Sequence, residues 1–103
     1  MLPRATGVKL WLDDQRPAPS GWLHARNYEE AVEWIRQYGK ELKEVSLDHD
    51  LCPAHSAGDY SDGATGYDVL AFLLGTGHRP VIQFHTMNAE GMQRMIDLLE
   101  YEE

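Results

Sequence analysis

Three short apolar runs in this chain each stop on a cluster of polar residues, and that pattern constrains the fold more than any other feature. Val8–Leu12 (VKLWL) runs into Asp13-Asp14, Glu44–Leu47 (EVSL) into Asp48-His49-Asp50, and Val81–Phe84 (VIQF) into His85-Thr86 with Asn88 just beyond. Runs of this length and composition read as strands. The segments between them carry a helical period. Over Asn27–Tyr38, the residues Tyr28, Ala31, Val32, Ile35 and Tyr38 form one apolar stripe, with Asn27 as N-cap, Glu30 at capping-box spacing and Gly39 as the stop. Thr65–Leu74 is a second helix, with Thr65 as N-cap, Asp68 at the N3 position and Gly75 at its end. Asn88 caps a third, striped by Met92, Met95, Ile96 and Leu99. Leu23–Arg26 is a weaker strand. The order β, loop, β, α, β, α, β, α predicts an α/β fold, an open parallel sheet flanked by helices. The crossovers should be right-handed, and the expected spatial order is 2-1-3-4.

The chain of 103 residues is expected to form a single domain over 1–103. Seventeen acidic against nine basic side chains give a net charge of −8, which excludes binding nucleic acid through bulk charge but not contact with one RNA end or one nucleotide. Cys52 is the only cysteine, so neither an internal disulfide nor a multi-thiolate zinc site is available. No apolar run is long enough to span a membrane, and the apolar stretch before Asp13 is too short for a secretory leader. A reduced, cytoplasmic setting is the expectation. Two stretches read as loops, Gln15–Gly21 (QRPAPSG) and Cys52–Ala64 (CPAHSAGDYSDGA). The second is long for a small domain and is expected to be mobile and to lie over the site.

In an open parallel sheet, ligands bind beyond the carboxyl ends of the strands. All three polar clusters fall there. Asp13, Asp14, Asp48 and Asp50 brought together would repel one another, and a divalent cation would relieve that repulsion. Hard carboxylate oxygens suit Mg²⁺ or Mn²⁺. His49 and His85 titrate nearest neutrality and are candidates for general acid and base, with Asp48 as a third catalytic candidate. Neighbouring strand residues face opposite ways, so Asp48 and His49 share a pocket only if the strand has ended at Asp48. Arg16 is placed to grip a phosphate. Thr86 and Asn88, at the start of the last helix, are further substrate-binding candidates and equally plain helix caps. Asp68 fits a structural role in its capping box. Trp11, Trp22 and Trp34 read as packing residues, and His24, His55 and His78 receive no role. The GATG stretch lacks the ending of a P-loop.

The order of elements resembles the receiver domain of two-component signalling, with Asp13-Asp14, Asp48 and Thr86 matching its acidic and phosphoacceptor pocket. Gly66-Tyr67-Asp68-Val69-Leu70 resembles the receiver's helix entry. The Pro-rich segment after Asp14 takes the place of the first receiver helix, and neither a fifth strand nor its lysine follows His85. The strings LWLDDQRPAP, VSLDHDL, TGYDVL and PVIQFHTMN resemble more closely the cyclic-phosphate processing receiver-like domains, over about Val8 to Leu99. That resemblance implies a truncated receiver-like (flavodoxin-like) fold with a rebuilt pocket, acting on cyclic phosphates such as RNA 2′,3′-cyclic ends or cyclic nucleotides. The expected activity is a metal-dependent phosphoesterase. Its rivals are a non-catalytic receiver-like module that recognises a protein or nucleotide, and a receiver that is phosphorylated on Asp48.

Overall fold

The computed structural model describes residues 7–52, 55 and 63–102. Its elements are β1 (Val8–Leu12), β2 (Leu23–Ala25), α1 (Tyr28–Tyr38), a 3₁₀ turn (Gly39–Glu41), β3 (Leu42–Leu47), α2 (Gly66–Gly75), β4 (Val81–Phe84) and α3 (Ala89–Glu102). The four strands are parallel and ordered β2-β1-β3-β4, the order expected from the sequence.

Local chemistry sets the boundaries. Asn27 accepts the Glu30 N–H at 2.8 Å and starts α1, while the Glu30 carboxylate takes the Arg26 N–H, which draws Arg26 out of the sheet. The strand expected over Leu23–Arg26 therefore ends at Ala25. β3 begins at Leu42, ahead of the expected Glu44, because buried Leu42 pairs with Val8 across a register shift. α2 starts with the full capping box of Thr65 and Asp68. No helix among the described residues is long and apolar enough to cross a membrane.

The sheet has two unlike faces. Leu10, Leu12, Ala25, Val45 and Leu47 are fully buried and form one cluster with Ala31 and Ile35 of α1, Val69, Leu70, Leu73 and Leu74 of α2, and Met95 of α3. Burying each of the leucine, isoleucine, valine and methionine side chains among them contributes roughly 1.5–3 kcal/mol. The alternate residues point the other way: Trp11, His24, Ser46 and Gln83 stand in register across that second face. Parallel sheets are ordinarily covered on both sides. Here the segment after Asp14 folds back over the second face, in the place of a receiver's first helix. Trp11 Nε1–H donates to the Arg16 carbonyl at 3.2 Å, and Trp22 packs edge-on against Trp11 with ring centroids 5.9 Å apart.

Candidate active site

Sheet pairing continues one residue past three strand ends. Asp13 N–H donates to Ala25, Asp48 N–H to Leu12 and His85 N–H to Leu47, each at 3.0 Å. The register that aligns Trp11, Ser46 and Gln83 thus carries on two residues later to Asp13, Asp48 and His85, all on the second face. One ligand atom from each of these three residues lies within 4.8 Å of the others. By the same alternation His49, the residue after Asp48, points towards the helices. His49 is buried there against Gly91 of α3.

Asp13 is the centre of the arrangement. Its Oδ1 accepts the backbone N–H of Gln15 and of Arg16, each at 2.8 Å. Its Oδ2 accepts Arg16 Nε–H at 2.8 Å and meets His85 Nε2 at 3.1 Å. Burial would raise this carboxyl, but the two amides and the Arg16 guanidinium outweigh it and hold Asp13 below the usual range. Arg16 continues to the His85 carbonyl at 2.7 Å and lies 3.9 Å from Asp48 Oδ2.

His85 is fixed on every side. Its ring stacks on Trp11 at 3.8 Å and 6°. Nδ1 meets the Ser46 hydroxyl at 2.7 Å. Facing an ionised carboxylate, Nε2 carries the hydrogen, so Nδ1 accepts from Ser46 in the neutral ring. Burial lowers the imidazole pKa; Asp13 opposes this and Arg16 adds to it.

A cavity of about 290 Å³ opens at these strand ends, lined by Asp13, Asp14, Gln15, Arg16, Asp48, Asp50, Thr86 and Met87. It gathers all four carboxylates expected at a metal site, together with Arg16 and Thr86, although Asp14 and Asp50 stand outside the compact group of three. Burial raises the carboxyls of Asp48 and Asp14. The charge of Asp13 adds to both and that of Asp50 to Asp14, while the Thr86 hydroxyl and the His49 amide partly offset the shift at Asp48. These raised carboxyls are where a cation would gain most.

Neither histidine lines this cavity. His85 stands behind Asp13, and His49 stands behind Asp50: His49 Nδ1 meets Asp50 Oδ1 at 2.8 Å, and Asn88 Nδ2 donates to the same oxygen at 3.1 Å. His49 lines a neighbouring cavity of about 390 Å³ with Thr65, Tyr67, Asp68 and Arg94. Asn88 also caps α3, its Oδ1 accepting the Gly91 N–H at 2.9 Å. Of the histidines given no role, His24 donates from Nε2 to the Asp13 carbonyl at 2.8 Å. His55 accepts the Leu51 N–H at 2.9 Å and lies close enough to Asp14 to lower its pKa. Residues 53–54 and 56–62 of the expected cover, Cys52–Ala64, lie outside the described residues.

Residue types alone did not single out Ser46, Gly66 or Gly91. The period-two alternation from Trp11 and Ser46 was the available signal for the first. The two glycines show their purpose only in the fold: a Cβ on Gly66 would strike the Asp48 carbonyl, and one on Gly91 would enter the His49 ring.

The donor set fits a divalent cation, with two carboxylates and one imidazole converging, at the expense of hydrogen bonds Asp13 already makes. A family model described as the cyclic-phosphate processing receiver domain matches residues 8–101. No curated protein and no solved structure gives a significant match to the chain.

Proposed function

The chain belongs to the cyclic-phosphate processing receiver domain family, and from that premise we propose that it is a metal-dependent phosphoesterase that opens a cyclic phosphate, either an RNA 2′,3′-cyclic end or a cyclic nucleotide. The observation that carries this reading is the cavity wall on which Asp13, Asp14, Asp48 and Asp50 meet Arg16 and Thr86. Four carboxylates and one guanidinium repel a phosphate. The same wall with a divalent cation accepts one, so the requirement for metal follows from the charge count. Mg²⁺ or Mn²⁺, held by Asp13, Asp48 and His85 with Asp14 and Asp50 on the same wall, would supply positive charge against the phosphate oxygens.

The chain's own groups supply the rest. Arg16 and the Thr86 hydroxyl bind and orient the phosphoryl oxygens. The Asp50–His49 carboxylate–imidazole pair is the acid–base unit at the wall. Hydrolysis forms a bond from the water oxygen to phosphorus and breaks the bond from phosphorus to one ribose oxygen. The Asp50–His49 pair takes the proton released by the water and then supplies it to the departing oxygen. His49 serves through the Asp50 carboxylate it touches, and His85 through the cation it would help to hold.

The test is incubation of the protein with nucleoside 2′,3′-cyclic monophosphates, 3′,5′-cyclic nucleotides and an RNA oligonucleotide ending in a cyclic phosphate, with and without Mg²⁺ or Mn²⁺, read by ³¹P NMR. The expected result is a metal-dependent monoester product that Asp48→Asn abolishes. Failure to open any of these with either metal present overturns the reading, and tight binding without turnover transfers the protein to the recognition-module class.

A further inference from the structure

A carboxylate offers about four acceptor positions, and Asp13 has filled them. Gln15 and Arg16 N–H occupy Oδ1, while Arg16 Nε–H and His85 Nε2–H occupy Oδ2. A cation bound directly at roughly 2.0–2.6 Å needs a lone pair that is free. One of the two side-chain donors must therefore withdraw or stop donating, and the guanidinium, 2.8 Å from Asp13 Oδ2 and 3.9 Å from Asp48 Oδ2, holds the place and the charge a cation there would take. Arg16 is the one that can move. Its side chain is 49% exposed, it belongs to the loop after β1, and its other charged partner, Asp48 Oδ2, is only at 3.9 Å. His85 cannot leave, pressed on Trp11 and anchored to Ser46, but it can turn from donor to acceptor where it stands. The Ser46 hydroxyl both donates and accepts. It therefore serves either tautomer, receiving Nδ1–H once Nε2 has given up its hydrogen.

We propose that the Arg16 guanidinium and a divalent cation are alternative partners of the Asp13 carboxylate, so that metal entry releases Arg16 to the phosphate. This rests on the metal reading of the same cavity and adds a coupling to it. Without metal, Arg16 is committed to Asp13 and to the His85 carbonyl, and phosphate meets an acidic wall. With metal, the guanidinium is freed at the rim that Thr86 also lines. The two ligands then bind with positive cooperativity, and by linkage each raises the affinity for the other by the same factor.

The experiment is Mn²⁺ titration, by calorimetry, of the wild type and Arg16→Gln, with and without dimethyl phosphate. In parallel, the Arg16 Nε–H signal of ¹⁵N-labelled protein is followed by NMR as Mg²⁺ is added. Arg16→Gln should bind Mn²⁺ about tenfold more tightly, the worth of one charge-assisted hydrogen bond. Dimethyl phosphate should tighten Mn²⁺ binding in the wild type and not in the variant, and Nε–H exchange should quicken as Mg²⁺ saturates. If Mn²⁺ binds the wild type but Nε–H stays protected at saturation, or if dimethyl phosphate leaves Mn²⁺ affinity unchanged, the coupling is overturned and the metal site stands. If neither protein binds Mn²⁺, the metal reading falls and the coupling with it.

Discussion

Asp13 and His85 form the one carboxylate–imidazole contact that joins β1 to the end of β4, at 3.1 Å across the intervening β3. The pair carries structural weight, because the same imidazole stacks on Trp11 and holds the Ser46 hydroxyl. His85→Ala would leave Ser46 without its partner and remove one donor from a buried carboxylate. A loss of about 2–3 kcal/mol is expected in urea unfolding. Ser46→Ala should cost less, about 1 kcal/mol, since Asp13 keeps all its donors. An order reversed between the two would contradict the geometry.

The same contact sets a pH dependence. Burial, with Arg16 adding to it, places His85 below its ordinary pKa of 6.5 in the folded protein. As pH falls past that value, the unfolded chain takes a proton that the folded chain still refuses. The unfolded state then binds more protons, so this contribution to stability declines with falling pH until the folded pKa is reached. His85→Gln lacks the group. The stability gap between wild type and His85→Gln should therefore narrow between pH 7.5 and pH 5, measured by denaturant unfolding at each pH. A constant gap would show that His85 does not titrate as its burial requires.

Asp13 and Asp48 are adjacent carboxylates with opposite electrostatic fates. Asp13 is held below the usual range by its amides and Arg16, so its ionised form stabilises the fold. Asp48 is raised by burial and by Asp13, so its ionised form is tolerated against a penalty. Asp13→Asn turns an amide NH₂ towards Arg16 or His85 and should cost roughly 1–3 kcal/mol at neutral pH. Asp48→Asn removes the penalty while keeping an acceptor for the His49 amide. Its melting temperature at neutral pH should equal or exceed that of the wild type. Such opposite signs are expected where a charge is kept for binding at the expense of stability. Equal destabilisation by both would remove the distinction.

Much of this was legible in the chain. β4 has the bounds its sequence suggests, and Asn27, Thr65 and Asn88 each cap the helix they precede, because a cap is chosen by neighbours within four residues. The parallel pairing follows from the connections, which alternate strand with helix. What the residues could not give is which of two consecutive polar residues faces which side. That depends on how far pairing runs past each strand, and the bonds from Asp13, Asp48 and His85 decide it. They gather these three and leave Asp14 and Asp50 at the rim. The tight fit around Asp13 was equally out of reach, since its donors come from residues up to 72 positions away.

Two helix glycines test how closely the strand ends are packed. Replacing glycine with alanine inside a helix ordinarily stabilises it by about 0.5–1 kcal/mol, through reduced freedom of the unfolded chain. Gly75, at the end of α2, has open space around it, and Gly75→Ala should show that gain. Gly66, at the start of the same helix, should reverse it, because its Cβ would strike the Asp48 carbonyl and backbone cannot swing aside. Gly66→Ala should lose about 2–3 kcal/mol or more, as overpacking does. Gly91→Ala meets a side chain instead, with His49 Nδ1 and Cδ2 at 2.7 Å. The ring can turn, but only by leaving the 2.8 Å contact with Asp50. The loss in stability should therefore be smaller than at Gly66, and the ¹⁵N shifts of the His49 ring should move. If Gly91→Ala leaves those shifts and the melting temperature unchanged, His49 is not clamped between α3 and Asp50, and its part in orienting that carboxylate is lost.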